Sequence, residues 1–324
     1  MTNAEKSFVI INGENVKILP EKNKPNGKVC VCKTPPCSFC EEGFSQITYS
    51  DLQKSIQDYT GDTFKIIVVG EQDGSPTLPI GLLNNKDATI IGAGTNPKIL
   101  IDCSSEYNDD SKTIEFSNIA ISYSSGNNLH VSNLKLLEGT TIDSTFNSIP
   151  LTVGNLECDV SQLGFKSISV SKSLILNGDA TNSNSNCKIS FATLSTFTYT
   201  LPKSIKISSS KLVFNNLEFD LSNVSPIFSL TSNELTIDGT DGNIDSIGSD
   251  IILQSNQLTS LHLTGDWANS NPTKFVVFKE FSSSISIDSK NAPVNIEYKS
   301  PNTILIGNEQ SSISGKILLP YNDF

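Results

Sequence analysis

Four cysteines crowd into the segment CVCKTPPCSFC near the start of the 324-residue chain, namely Cys30, Cys32, Cys37 and Cys40. Closely spaced cysteines form disulfides in oxidising compartments, bind zinc through paired Cys-x2–4-Cys arms, or stay free. Only Cys37 and Cys40 have the spacing of such an arm. We therefore predict disulfides, with free thiols and a metal site as alternatives. The remaining cysteines stand alone and are expected to be small buried hydrophobes: Cys103, Cys158 and Cys187.

The acidic segment IDGTDGNIDSIGSD, residues 237–250, could bind a cation. Asp238, Asp241, Asn243 and Asp245 carry oxygen ligands and partly alternate, as the ligands of a calcium loop do. The segment lacks the glycine and the distant glutamate of an EF-hand. A loose surface calcium site is one interpretation and an ordinary acidic turn is the other. We predict no other cofactor.

Several further side chains could serve catalysis. Five aspartates end apolar runs: Asp102, Asp143, Asp220, Asp238 and Asp288. Two carboxylates facing each other across a groove about 5 to 9 Å wide could hydrolyse a glycoside. Aspartate also simply terminates strands at turns, which is the interpretation we favour. His130 and His262 lie in the similar segments LHV and LHL, and we expect solvated strand positions on a shared outward face.

Two side chains bear on carbohydrate. Trp267, in the polar segment LTGDWANSNP, could stack on a sugar ring or pack its loop against the fold. Asn223-Val224-Ser225 is the one N-glycosylation sequon in the sequence, and it becomes relevant if the chain is secreted.

The pair Gly92 and Gly94 in DATIIGAGTNPKILIDC resembles part of a phosphate-binding loop. A dinucleotide loop needs a third glycine that opens a helix. Here Pro97 and the apolar segment KILI follow, so no helix N-terminus would hold a phosphate. We predict a bend between two strands.

These residues must be positioned by β structure. From residue 64 onward, brief apolar segments of mostly three to five residues alternate with Ser, Asn, Gly and Asp, which favour turns. A repeat in the low twenties is typical of a solenoid. Asparagine suits sharp bends and hydrogen-bonded ladders between stacked repeats. Asparagines precede several apolar segments, at Asn118, Asn133, Asn155, Asn216, Asn233 and Asn256.

Short strands cannot each bury a core, but they can stack as turns of one spiral. We therefore predict an all-β fold, a right-handed parallel β-helix with a short N-terminal capping helix. The helix is expected at about residues 50–60, with Ser50 as its N-cap, and the coils from about residue 64. Residues 1–45 form an N-terminal flank with the cysteine cluster, and residues 46–324 form the β-helix domain.

A family resemblance accompanies this pattern. The segments DLQKSIQDYTGDTFKIIVVGEQ and DATIIGAGTNPKILID are similar to the entrance of pectin-lyase-like β-helix proteins, where a capping helix leads to the first rungs. The resemblance covers roughly residues 50–103. The sequence after residue 103 is rich in Asn, Ser and Ile. In this composition it resembles surface β-helix repeat proteins of AT-rich protists and, distantly, polymorphic outer-membrane proteins. The GGAI and FxxN repeats of the latter are absent.

The resemblance implies a polysaccharide lyase, hydrolase or esterase. The residues that these enzymes usually use for catalysis are missing from this sequence. Pectate lyases use an arginine as the base, and pectin methylesterases pair two aspartates with an arginine. This chain has no arginine, and lysine lacks the planar bidentate fork. The histidine-glycine and R-I-K elements of polygalacturonase-like hydrolases are also missing, since HVSN at His130 and HLTG at His262 do not match.

The sequence therefore favours a non-enzymatic surface or secreted β-helix protein, active in adhesion or carbohydrate binding through its lateral face. The alternatives are a divergent polysaccharide lyase or hydrolase that uses carboxylates, and a structural fragment of a larger surface protein. The expected partners are carbohydrate or a cell-surface protein, and the expected location is extracellular or the cell surface, although the N-terminus is a poor signal peptide.

Charge and hydropathy restrict the partners further. The net charge of -11 repels nucleic acid and anionic membranes. No apolar stretch reaches the roughly 18 residues of a membrane span. We therefore expect neither a nucleic-acid partner nor a membrane span.

Overall fold

The computed structural model describes residues 26–70, 74–178, 186–201 and 217–224 continuously, together with the strands outside those ranges. It describes the side chains of residues 26–70, 74–178, 186–200, 212, 217–224 and 227. The statements on side chains below concern these residues.

The protein is predominantly β structure, and its described residues include one short α-helix, α1 (Leu52–Gln57). Its first strands are β1 Phe8–Ile11, β2 Glu14–Lys17, β3 Lys28–Cys32, β4 Ser45–Thr48, β5 Thr63–Gly70, β6 Thr77–Pro79, β7 Asp87–Gly94, β8 Lys98–Cys103, β9 Ile114–Ser117, β10 Ala120–Gly126, β11 Leu129–Leu136, β12 Thr141–Ile142, β13 Leu151–Asp159 and β14 Ser167–Asn177. They are followed by β15 Lys188–Phe191, β16 Thr196–Leu201, β17 Ser204–Ser208, β18 Lys211–Phe214, β19 Leu217–Asp220, β20 Pro226–Leu230, β21 Glu234–Gly239, β22 Ile251–Gln254, β23 Ser260–Gly265, β24 Val276–Lys279, β25 Ile285–Ser289, β26 Ile296–Tyr298, β27 Ile304–Ile306 and β28 Ile317–Leu318. Short 3-10 turns lie at Tyr49–Asp51, Ile80–Leu83, Ser144–Ser148 and Val160–Gln162.

Most of the strands stack as the turns of a parallel β-solenoid, which confirms the predicted fold class. β1 and β2 instead form a separate antiparallel pair, and β18 pairs antiparallel with β17 and β19. One long ladder begins β4-β3-β5-β7-β9-β11-β13-β14, and every pairing in that series is parallel. A second parallel sheet runs β6-β8-β10-β12 along another side of the spiral. Because each strand pairs with the turns on either side, a strand too short to fold alone is stabilised by its neighbours.

Identical register from turn to turn builds the core. Ile66 pairs with Ile90, Ile90 with Phe116, and Phe116 with Leu136, and all four are buried. An apolar void among the described core residues, lined by Ile101, Phe116 and Leu134, has a volume of about 10 Å³, so side chains fill this part of the spiral. No helix among the described residues is long and apolar enough to cross a bilayer.

The turns of the spiral differ in length, which explains why the repeat is loose in the sequence. Hydrogen-bonded positions on neighbouring turns are 18 residues apart for Asn155 and Ser173, and 22 apart for Asn133 and Asn155. They are 26 apart for Gly92 and Asn118. Loops of different length are inserted while the strand register is kept.

Several strands are longer than the three to five residues that we predicted. β13 has nine residues and β14 has eleven. In β11 and β13 the alternation of buried and exposed side chains breaks once, at Ser132 and Gly154, where two consecutive residues are buried. The strand bends there without losing its ladder, so two short apolar segments of the sequence form one bent strand.

The predicted capping helix is present but shorter than expected. α1 buries Leu52 and Ile56 and contacts β3 and β6. Its N-cap is Asp51, without a side-chain capping hydrogen bond, so the prediction of Ser50 as N-cap is wrong. Ser50 lies in the preceding 3-10 turn. The helix covers apolar side chains at the first turns of the spiral, which would otherwise face water.

Candidate functional site

A groove of about 550 Å³ lies on the outer surface where β11, β13 and β14 end. We call it the lateral groove. Parallel strands bring their carboxyl ends to one edge, so three successive turns contribute to it. Its volume is within the roughly 300 to 1,000 Å³ of ligand pockets. It is lined by Leu136, Leu137, Glu138, Gly139, Thr140, Thr141, Glu157, Cys158, Asp159, Ser161, Gln162 and Asn177.

A buried glutamine fixes both walls of the lateral groove. Gln162 is only 4% exposed, and its Nε2 donates hydrogen bonds to the carbonyls of Leu137 and Thr140 at 3.0 and 3.1 Å. Its Oε1 accepts a hydrogen bond from the backbone N–H of Asp159 at 2.8 Å. Because one side chain ties the two walls together, the lateral groove is held open without a ligand.

The lateral groove offers polar groups beside exposed apolar surface. Asp159 and Asn177 are register partners on neighbouring turns. Leu137 is 37% exposed, and Ile175, the register partner of Glu157, is 42% exposed. Carboxylates accept hydrogen bonds and the asparagine amide both donates and accepts. Such a surface suits a ligand with adjacent hydroxyl groups and apolar C–H faces.

The lateral groove is acidic. Glu138, Glu157 and Asp159 lie in its lining. Lys135 pairs with Glu157 at 3.2 Å and with Glu115 at 3.9 Å, across three consecutive turns. One lysine therefore faces several carboxylates, and the local field repels anionic ligands.

Three of the five aspartates that end apolar runs, Asp102, Asp143 and Asp220, cap turns, whereas the side chains of Asp238 and Asp288 lie outside the described residues. In five segments of the form Asp-x-Ser/Thr, the carboxylate accepts the backbone N–H two residues later, within 2.9 to 3.1 Å. The five pairs are Asp102 with Ser104, Asp109 with Ser111, Asp143 with Thr145, Asp159 with Ser161, and Asp220 with Ser222. This motif is visible in the sequence, and it is the signal that our sequence analysis missed.

Asp102 and Asp143 are held in their ionised forms by these contacts. The backbone N–H of Thr145, the hydroxyl of Ser122 and the Lys98 ammonium together hold the pKa of Asp143 far below its usual range. Hydrogen bonds from the hydroxyls of Ser104 and Ser125 lower the pKa of Asp102. A general acid needs a raised pKa, so neither carboxyl suits that role.

The two histidines lie in strands of different sheets. His130 lies in β11, and its Nδ1 is 3.2 Å from Oε1 of Glu106. His262 lies in β23, which pairs with β21 and β25 in a different part of the spiral. The register places Asp288 beside His262, but the structure does not describe the side chains of β23 and β25. The shared outward face stays a prediction, because the side chain of His262 lies outside the described residues.

The four clustered cysteines form two nested disulfides, Cys30–Cys40 and Cys32–Cys37, each with a Cα–Cα distance of 5.7 Å. The prediction of disulfides is confirmed. Cys30 and Cys32 face outward from β3, where they pack with Ile67 and Val69 of β5. The disulfide loop thus covers an apolar patch on the outside of the first turns.

The three isolated cysteines are buried, as expected. Burial raises the pKa of the Cys103 thiol and of the Cys187 thiol to about 12 in each case, and raises the pKa of Cys158 as well. A reactive cysteine needs a lowered pKa and access to solvent. These thiols therefore pack as hydrophobes.

The glycine pair forms a bend, as predicted. Gly94 ends β7 with φ +77, Asn96 follows with φ 51, and β8 begins at Lys98. A side chain at Gly92 would collide with the carbonyl of Asn118 on the next turn and with the Pro97 ring. Close packing between strands accounts for these glycines. Strand β8 follows them, and not a helix whose N-terminus could bind phosphate.

Several predicted site residues lie outside the described part of the chain. These are Asp241, Asn243, Asp245 and Trp267, so the calcium and sugar-stacking predictions stay predictions. Asp238 lies in β21, but its side chain is outside the described ones. Asn223 is described and is exposed.

Comparisons of the chain with protein-family models, with curated proteins and with solved structures found no match. The structure shows a parallel β-solenoid, whereas the resemblance to pectin-lyase-like proteins stays a prediction, so the function must be argued from the lateral groove itself.

Proposed function

We propose that this chain is a non-enzymatic β-helix protein of the cell surface or extracellular space, which binds carbohydrate through its lateral face and thereby serves adhesion. The observation that carries the proposal is the lateral groove, where Asp159 and Asn177 lie beside the exposed apolar surface of Leu137. Two disulfides support an oxidising location outside the cytosol.

The charge of the lateral groove narrows the ligand class. Three carboxylates line it, and the whole chain carries a net charge of -11. A polyuronate would bring further negative charge to this surface and be repelled. We therefore propose a neutral or amino-substituted glycan as the ligand.

Titration calorimetry with three oligosaccharides of equal length tests this proposal. A neutral gluco-oligosaccharide, a chitosan oligosaccharide and an oligogalacturonide probe the neutral, cationic and anionic classes. We expect measurable heat for at least one of the first two and none for the oligogalacturonide. Binding of the oligogalacturonide alone, or of none of the three, would contradict the proposal.

A carboxylate-dependent glycoside hydrolase is the second candidate, and one observation favours it. Glu157 and Asp159 are two residues apart on β13 and line the same groove. Strand geometry separates their Cα atoms by roughly 6.7 Å, and both side chains lie on the outward face of β13, which is the kind of arrangement from which paired glycosidase carboxylates can be built. However, Glu157 is paired with Lys135, and Oδ1 of Asp159 accepts hydrogen bonds from the backbone and hydroxyl of Ser161.

The two candidates differ in turnover. Incubation with neutral and amino-substituted polysaccharides, followed by assay of new reducing ends or unsaturated products, separates them. We expect no products. Product formation that disappears in Glu157→Gln would establish the hydrolase and overturn the binding role.

A further inference from the structure

Two four-residue turns are stacked at one edge of the spiral. β15 and β19 run parallel, with Ser190 opposite Asp220. The first turn closes with a hydrogen bond from the N–H of Ser195 to the carbonyl of Ala192, and the second with one from Val224 to Leu221, both at 3.2 Å. The turns that follow these two strands are therefore neighbours.

The second turn presents Asn223 to solvent in a fixed orientation. Leu221 and Val224 are buried and anchor the turn, whereas Ser222 and Asn223 are exposed. The Nδ2 of Asn223 donates a hydrogen bond to the carbonyl of Phe191 at 2.9 Å. An amide nitrogen carries two hydrogens, so one hydrogen holds the side chain and the other can be replaced.

The first turn presents an apolar side chain that the fold does not cover. Leu194 is 92% exposed, the most exposed large hydrophobic side chain among the described residues. Its backbone has φ 69, a conformation that leucine rarely adopts. An apolar side chain held outward on the turn beside Asn223 is suited to contact a group attached to that asparagine.

We propose that Asn223 carries an N-linked glycan, and that its first sugars cover Leu194. Asn223-Val224-Ser225 has the sequence that N-glycosylation requires. The two disulfides fit passage through an oxidising secretory compartment, where this modification takes place. The proposal requires export of the chain, but it does not depend on what the lateral groove binds.

The test uses the full chain, expressed behind a cleavable secretion signal in eukaryotic cells. Peptide mass spectrometry before and after PNGase F reports the modification, because the enzyme converts a glycosylated asparagine to aspartate. We expect this conversion at position 223 in the wild type and in Ser225→Thr, and its loss in Ser225→Ala. Ser225→Ala leaves the amide of Asn223 in place. An unmodified Asn223 peptide from secreted wild type would overturn the proposal.

Hydroxyl-radical footprinting tests the contact with Leu194. Oxidation of Leu194 should rise after PNGase F treatment of wild type, and it should not change for Ser225→Ala. Equal oxidation before and after treatment would overturn the covering role. Carbohydrate binding by the lateral groove is measured separately on Ser225→Ala, which lacks the glycan. The result of that measurement tests the proposed function and is independent of whether Asn223 is glycosylated.

Discussion

Asn155 donates a hydrogen bond from its Nδ2 to Oδ1 of Asn133, one turn away, at 2.6 Å. The ladder continues in both directions. Asn133 donates to the carbonyls of Asp110 and Lys112, and the hydroxyl of Ser173 donates to Oδ1 of Asn155. These bonds tie three successive strands together at the bend of the spiral, so the ladder fixes the register between turns.

Asn155→Ala should destabilise the protein. The substitution leaves Oδ1 of Asn133 and the hydroxyl of Ser173 without their partner, at a cost of about 1 to 3 kcal/mol in the free energy of unfolding. Urea unfolding measures this loss. Asn147→Ala, at an exposed asparagine in a 3-10 turn, is the control and should have little effect. Equal free energies of unfolding for the two variants would show that the asparagine ladder does not stabilise the protein.

The disulfide loop should hold the first turns closed. The double variant Cys30→Ser/Cys40→Ser opens a loop with a sequence separation of 10, and we expect a loss of about 2 to 3 kcal/mol. Dye binding should increase because Ile67 and Val69 become accessible. Phe39→Asn, which alters an exposed loop residue and keeps both disulfides, should not increase dye binding. An unchanged dye signal in the double variant would contradict a covering role.

Cys103, Cys158 and Cys187 should be unreactive in the native protein. Burial raises the pKa of each thiol, so little thiolate forms even in mildly alkaline buffer. Ellman's reagent should detect no rapidly reacting thiol before unfolding and three thiols after unfolding without reductant. A rapid native reaction would show that at least one of these side chains is accessible.

Asp143 should contribute to stability in a pH-dependent way. Its contacts to Thr145, Ser122 and Lys98 lower the pKa of the carboxyl below the ordinary value of 3.8. The stabilisation is therefore present above that ordinary value and lost as the pH falls below it. Asp143→Asn should cost about 0.5 to 1 kcal/mol at neutral pH, because the amide can still cap the turn but loses the ion pair with Lys98.

Thermal unfolding of Asp143→Asn across the acid range checks the sign. The difference from wild type should shrink below about pH 4, as the wild-type carboxyl becomes protonated. Glu42→Gln, at an exposed position just after the disulfide loop, serves as the control and should show a much smaller difference. A difference that grows with acidity would contradict the proposed cause.

The fold could be predicted from local patterns because a solenoid needs only the same pattern in each turn, an apolar segment followed by turn residues. Apolar segments separated by turn residues predicted the solenoid, and the asparagine spacing between positions 133 and 155 matched a real turn-to-turn contact. Asn118 has φ 49, as expected of an asparagine at a sharp bend. Strand lengths were not predictable, because a bend at Gly154 merges two apolar segments into β13.

The lateral groove could not be predicted in the same way. It depends on which residues of three different turns meet, and the turn lengths vary. The register of Asp159 with Asn177 depends on a bulge in the pairing between Val153 and Asn155, which leaves no mark in composition. The aspartates were recognised as strand terminators, but the Asp-x-Ser/Thr motif behind that role was not.

The central claim is that the lateral groove binds a neutral or amino-substituted glycan. The most direct measurement compares the affinity of wild type, Asn177→Ala and Asn147→Ala for the oligosaccharide that wild type binds. The first variant removes an exposed amide of the lateral groove, and the second changes an exposed asparagine outside it. The account predicts a loss of about tenfold, or roughly 1.4 kcal/mol, for Asn177→Ala alone. Equal affinities of all three proteins would contradict it.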